Sequence, residues 1–162
     1  MKKAAIFPGT FDPFTLGHKS IVEAALKLFD EVIISVATQH DRKKSLFTLA
    51  KRKAMLETIF ASNKAVIVTS FSGLLVAHAK EIGVPIIIRG LRGCGDVEYE
   101  FNMATINQRL YPEIETVFLK CQPNQTFISA SLLKEIAFNG GDVSLFLDPV
   151  VVEALSVKTQ GG

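Results

Sequence analysis

The sequence predicts an α/β protein: a Rossmann-like, doubly wound, five-stranded parallel sheet with flanking helices, all in a single domain. Three observations predict it. Short Ile/Val-rich runs alternate five times with longer stretches of helical periodicity. The short runs are apolar almost throughout, as strands covered on both faces should be. The chain has 162 residues, 48% of them hydrophobic, which suits one domain with a sizeable core.

Taken in order, the predicted strands are Ala4 to Phe7, Val32 to Ala37, Ala65 to Thr69, Pro85 to Ile88 and Thr116 to Leu119. The first helical pattern is carried by Ile21, Val22, Ala25, Leu26 and Phe29, with His18 at its beginning. The second is carried by Leu49, Met55, Leu56, Ile59 and Phe60. A third runs from Leu74 to Ile82 and stops at Gly83, a good C-cap residue. A fourth covers roughly Val97 to Leu110 and ends before Pro112. The tail adds a helix from about Ser131 to Phe138, a Gly140-Gly141 break, and a last helix after Asp148-Pro149. Phe146-Leu147 and Val150-Val151-Val152 read slightly better as core than as a partner surface.

Bulk properties exclude several classes. The net charge of +2 is too weak for general nucleic-acid or membrane affinity, so an anion site has to come from local clustering. Cys94 and Cys121 have no ligand-like spacing, which argues against a zinc site or a disulfide scaffold. No uncharged apolar run reaches membrane-spanning length, and the expected compartment is the cytoplasm. There is no Walker-type loop and no G-x-G-x-x-G, which argues against a P-loop NTPase or a dinucleotide oxidoreductase.

Ligands of open parallel sheets bind beyond the carboxyl ends of the strands, where strand order reverses. The segments after each strand are therefore the ones to read. After the first comes Pro8-Gly9-Thr10-Phe11-Asp12-Pro13-Phe14-Thr15-Leu16-Gly17-His18. A helix start there offers free N–H groups and a positive dipole end for phosphate, with Thr15 a candidate N-cap. The second strand is followed by the basic run Asp41-Arg42-Lys43-Lys44. The fourth is followed by Arg89-Gly90-Leu91-Arg92, two arginines that need either an anion or partners among Asp96, Glu98 and Glu100. The fifth leads to Gln125-Thr126-Phe127-Ile128-Ser129-Ala130-Ser131, whose hydroxyls suit either caps or a second phosphate-binding helix start.

Thr15-Leu16-Gly17-His18 resembles the T/H-x-G-H signature of the nucleotidylyltransferase superfamily, and Pro8 to Pro13 resembles the phosphopantetheine adenylyltransferase family in particular. The resemblance extends through Ile128-Ser129-Ala130-Ser131, similar to an I-S-x-S motif, and so along nearly the whole chain. It implies one nucleotidylyltransferase domain over residues 1–162, the helices from about 129 onward included. The implied reaction moves AMP from ATP to 4'-phosphopantetheine, giving dephospho-coenzyme A and pyrophosphate, with Mg²⁺ as cofactor.

Several residue roles follow from the same resemblance. Catalysis falls to His18, Lys43 and Arg92, and acceptor binding to Thr10, Lys43, Leu75 and Arg89. ATP binding falls to Thr10, Phe11, His18, Gly90, Leu91, Arg92, Glu100 and residues Gln125, Thr126, Phe127, Ile128, Ser129, Ala130 and Ser131. No residue is expected to serve as a dedicated metal ligand. Lys44 competes with Lys43, because the basic loop is one residue longer than the family pattern. Gly73 and Ala130 replace an acid and a serine common in the family. A homo-hexamer and feedback inhibition by coenzyme A are also implied, with no nucleic-acid or membrane partner. The alternatives are a sibling transferase with another phosphorylated acceptor (nicotinate mononucleotide or glycerol 3-phosphate), a non-catalytic ATP or coenzyme sensor, and, less favoured, a relative of class I aminoacyl-tRNA synthetases.

Overall fold

The computed structural model describes residues 2–38, 44–122 and 128–161. Its elements follow in the order β1 (Ala4–Gly9), α1 (Leu16–Ala25), β2 (Glu31–Ala37), α2 (Leu49–Ile59), β3 (Val66–Phe71), α3 (Leu75–Ile82) and β4 (Ile86–Leu91). They continue with α4 (Cys94–Leu110), β5 (Glu115–Lys120), α5 (Ala130–Phe138) and α6 (Pro149–Gln160). All strand pairings are parallel, in the order β3-β2-β1-β4-β5. The fold is thus the single-domain α/β arrangement that the five apolar runs predict.

The chain moves outward from β1 to β2 and β3, then crosses back to β4 on the other side of β1. Strand order therefore reverses between β1 and β4, which opens a crevice at their carboxyl ends. Central β1 and β2 are buried along their middles, where Ala5, Ile6, Val32 and Ile34 are fully enclosed. One core cluster joins these strands to α1 and α2 through Ile21, Val22, Leu56 and Phe60. A cluster on the other face gathers Ile6, Ile87 and Ile114 with Val76 and Ala79 of α3. A separate cluster joins Phe47 and Met55 to Leu133, Leu147, Val151 and Leu155. Phe146, Val150 and Val152 pack against that last cluster, so these tail segments are core.

Three helix ends differ from the periodicity. Helix α1 begins at Leu16, two residues before His18, because Thr15 caps it. It ends at Ala25, and Leu26 to Phe29 form a turn that still packs on the core. Helix α4 begins at Cys94, three residues earlier than the apolar pattern, with Asp96 in its first turn. Gly83 does cap α3 in the left-handed conformation, at φ 69°.

Candidate active site

The segments after β1, β4 and β5 meet around one cavity of about 440 Å³ at the carboxyl rim of the sheet. Thr10, Phe11, His18, Arg89, Gly90, Arg92, Glu100, Ile128, Ser129, Ala130 and Ser131 all line it. Leu91 and Leu75 do not. Leu91 ends β4, and its carbonyl accepts from the Cys121 N–H, 3.2 Å away. Leu75 opens α3 and packs against the Ile6–Ile87–Ile114 cluster. Lys43, Gln125, Thr126 and Phe127 lie outside the described residues, as do His40, Asp41 and Arg42. Lys44 is described and lines the cavity.

His18 is the third residue of α1 and closes a capping box with Thr15. The His18 N–H donates to Thr15 Oγ1 at 3.2 Å, and the Thr15 N–H donates to His18 Nδ1 at 3.0 Å. A ring nitrogen that accepts carries no proton, so the proton of the neutral imidazole sits on Nε2. The ring is stacked on Phe14 at 5.4 Å, meets the edge of Phe11 at 5.2 Å, and lies 6.3 Å from Phe7. Burial, and then the charges of Arg92 and Arg89, lower its pKa from 6.5 to about 4. His18 is therefore a neutral Nε2–H donor at physiological pH. Phe11, which walls it, is held at φ 51°, a left-handed conformation that bulky residues rarely adopt and that clusters at functional sites.

The opposite wall is built from ion pairs. Arg89 Nε and Nη2 donate to the two oxygens of Glu100, both at 2.7 Å, and Nη1 reaches the Pro8 carbonyl at 3.4 Å. Glu100 is buried, and its hydrogen bonds raise the Arg89 pKa further above its already high value. Arg92 Nε lies 3.4 Å from Asp96 in a more exposed pair. Two of the three partners that the sequence offered as alternatives to an anion, Glu100 and Asp96, are thus taken up, one per arginine. A guanidinium has five N–H donors, so the fork on Glu100 leaves others of Arg89 available to a ligand. Gly90, between the arginines, lets α1 sit close: an added Cβ would lie 3.0 Å from Ile21 Cγ1.

The third wall is the start of α5. Ser129 is its N-cap, and its Oγ accepts from the Leu132 N–H at 3.1 Å. The cap leaves other first-turn N–H groups of α5 without helical partners, at a positive dipole end beside the cleft. Lys134, one turn further, lines the cavity and approaches Asp12 Oδ2 at 3.4 Å. Sequence reading missed Lys134. The signal was its spacing of three from Ser131 and four from Ala130, which puts all three on one helical face. Sequence reading also did not anticipate that Asp12 would accept the N–H groups of Leu46 and Phe47, or that Arg52 of α2 would donate to the Thr10, Ala37 and Phe47 carbonyls. Cys121 is a buried cleft-floor residue whose thiol pKa is raised mainly by burial. Cys94 is exposed. His78 is buried in α3, hydrogen-bonded to Ser35 at 2.9 Å and stacked on Phe71.

Residues 6–136 match the model of the cytidylyltransferase-like family. The chain belongs to that family. The match supports a nucleotidyltransferase enzyme, and the crevice at the β1/β4 switch point, lined by His18, two arginines and a helix start, lies within the matched residues. Among solved structures, this cytidylyltransferase-like chain resembles a bifunctional NMN adenylyltransferase/ADP-ribose pyrophosphatase of Francisella tularensis, complexed with AMP and a Mn ion. The TM-score is 0.72 at 17% identity, over 99% of this chain and 52% of the other. A second structure of that bifunctional protein gives a TM-score of 0.74 at 16% identity. A Vibrio parahaemolyticus protein, provisionally assigned as a nicotinate-nucleotide adenylyltransferase, gives 0.68 at 22% identity, covering 96% of this chain and 99% of the other. The chain thus spans about half of the Francisella protein, and at these identities the likeness establishes the fold.

Among the described residues, no group of three or more His, Cys, Asp or Glu side chains could hold a metal ion. No helix of the described residues is long and apolar enough to cross a membrane.

Proposed function

We propose that the cleft transfers the adenylyl group of ATP to a phosphate monoester, and that the acceptor is 4'-phosphopantetheine. The observation that carries the transfer chemistry is the meeting, in one cavity, of a neutral Nε2–H imidazole, two arginines and the start of α5. What favours phosphopantetheine among acceptors is the extent of the resemblance, from Pro8-Gly9-Thr10-Phe11-Asp12-Pro13 through Arg89-Gly90-Leu91-Arg92 to Ile128-Ser129-Ala130-Ser131.

The chemistry follows from the charges. A phosphate monoester has its second pKa near about 6, so at neutral pH it is mostly dianionic and needs no general base. One of its oxygens attacks the α-phosphorus of ATP. The bond from that phosphorus to the bridging oxygen breaks, and pyrophosphate leaves with the electron pair. Two anions have to be held in line against their repulsion, so positioning and electrostatic stabilisation carry the rate. Thr10, Arg89 and the basic loop (Lys43 or Lys44) hold the acceptor phosphate. His18 donates Nε2–H to the α-phosphate as charge builds there. Arg92 and the Ser129–Ser131 helix start hold the polyphosphate, with Gly90 and Glu100 beside the nucleotide.

A divalent cation would have few protein ligands. Asp12 accepts two backbone N–H groups, Glu100 holds Arg89, and Asp96 holds Arg92. That donor set fits an ion carried on phosphate oxygens, as is usual for Mg²⁺, which when bound neutralises phosphate charge. A homo-oligomer, a hexamer by resemblance, is supported by the exposed apolar residues Tyr99, Phe101, Met103, Ile106 and Leu110 of α4. Feedback inhibition by coenzyme A and a cytoplasmic location rest on the resemblance and the sequence.

A second reading, a nicotinate or nicotinamide mononucleotide acceptor, is favoured by the names of the similar solved structures. Incubation with ATP and each acceptor in turn, while pyrophosphate is followed, separates the two. Release with phosphopantetheine alone supports the first reading, and release with a mononucleotide replaces it.

A further inference from the structure

The rim of the cleft rests on a buried cation, Arg52, with the carboxylate of Asp12 nearby. Arg52 of α2 is 3% exposed, and among the described residues its guanidinium donates to three backbone carbonyls. Nη1 donates to Thr10 at 2.6 Å and to Ala37 at 3.0 Å, and Nε donates to Phe47 at 3.2 Å. Those carbonyls belong to the segment after β1, the last residue of β2, and the approach to α2. From the other side, the buried carboxylate of Asp12 accepts the N–H groups of Leu46 and Phe47 at 2.7 and 2.9 Å. Phe47 is thus held through its N–H by Asp12 and through its carbonyl by Arg52.

A buried guanidinium is costly unless its donors are satisfied, so an arginine here has to be matched by the geometry around it. Its planar fork reaches carbonyls on separate segments at once, which a lysine ammonium cannot reproduce with the same spacing. Thr10 and Lys44, which both line the cleft, sit on the segments so tied. The pairs on the α4 side of the cleft make no use of Arg52.

We propose that Arg52 is a positioning residue: by bridging Thr10, Ala37 and Phe47 it sets the spacing of Thr10 and Lys44, the part of the cleft that receives the acceptor's phosphate. The inference rests on the adenylyl-transfer reading. It concerns the phosphate that all the candidate acceptors share, so it holds for whichever of them the wild-type protein uses.

The test measures two quantities for Arg52→Met and Arg52→Lys: acceptor kcat/KM at saturating ATP, and the ATP dissociation constant without acceptor. A misplacement on the scale of an ångström costs about a hundredfold in turnover, so Arg52→Met is expected to lose about that much in acceptor kcat/KM. Its ATP dissociation constant should stay within about threefold, since the Arg92–Asp96 pair and the Ser129 cap of α5 are not among the groups that Arg52 bridges. Arg52→Lys should recover part of the loss. If Arg52→Met does not fold, Arg52→Lys carries the same two readouts, with a smaller acceptor loss and the same unchanged ATP affinity. Parallel loss of ATP affinity and turnover would reduce Arg52 to general stability and overturn the proposal, as would wild-type kinetics. Absence of turnover by the wild-type protein with every acceptor would instead overturn the adenylyl-transfer reading.

Discussion

Two of the cleft's three walls hold their functional groups by different physics. On the β1 side, His18 is fixed by a backbone capping box and three aromatic rings, and it is kept neutral. On the β4 side, Arg89 and Arg92 are held by carboxylates of the next helix, in pairs that a phosphate can compete with. The first wall is preorganised and gains nothing by moving. The second carries its charge already compensated, so that two arginines can stand at a sheet edge before any anion arrives. A donor to a transition state belongs on the first wall, and exchangeable holders of substrate phosphates belong on the second.

The comparison can be broken most sharply at His18. Removing one preorganised transition-state donor costs about 3–4 kcal/mol, a factor of roughly a hundred to a thousand in rate. His18→Ala should therefore depress kcat on that scale while ATP affinity changes little. Turnover within a few-fold of wild type would place the imidazole outside the reaction.

Arg89→Met probes the other wall. It strips the buried Glu100 of its fork, and thermal or urea unfolding should show a loss of about 2–3 kcal/mol, below the fully buried range because Arg89 is about one-third exposed. Acceptor binding should weaken with it. Unchanged stability would mean that the pair does not hold the wall together.

The charge state of His18 sharpens the contrast. Its folded-state pKa of about 4 lies below the unfolded 6.5, so folding favours the neutral ring. The stability this contributes is fully present above 6.5 and is lost as pH falls from there through about 4. In NMR titration the ring should protonate near 4. In Arg92→Ala the midpoint should rise, since a nearby positive charge is gone. A wild-type midpoint at 6.5 would contradict the neutral-donor assignment. The smallest effect is expected at the exposed Arg92–Asp96 pair, where Asp96→Asn should change unfolding free energy by no more than about 0.5 kcal/mol.

The same contrast explains what could be read from sequence. Strands that are apolar on both faces announce themselves, and Val32 to Ala37 needed only its Glu31 edge added. The strand-end rule then placed His18, Arg89, Arg92 and Ser129 at one rim before any contact was known, since β1 and β4 flank the reversal. Leu91, in the segment after β4, and Leu75, at the start of α3, do not line the cleft, because position along the chain does not say which way a side chain faces. Arg52 and Asp12 were invisible as organisers for another reason. Arg52 sits on α2 and finds partners 5, 15 and 42 residues away, a geometry that no local pattern encodes. The pairing of Arg89 with Glu100 was legible only as one of three options, since helical phase alone cannot choose among Asp96, Glu98 and Glu100.

The most direct test follows phosphorus by NMR while the protein is incubated with ATP, Mg²⁺ and phosphopantetheine. The account predicts that the acceptor's monoester signal disappears as a new diphosphate linkage to AMP and an equivalent of pyrophosphate appear together. Pyrophosphate and free AMP with the acceptor untouched, or ATP left intact beside every phosphorylated acceptor, would contradict it.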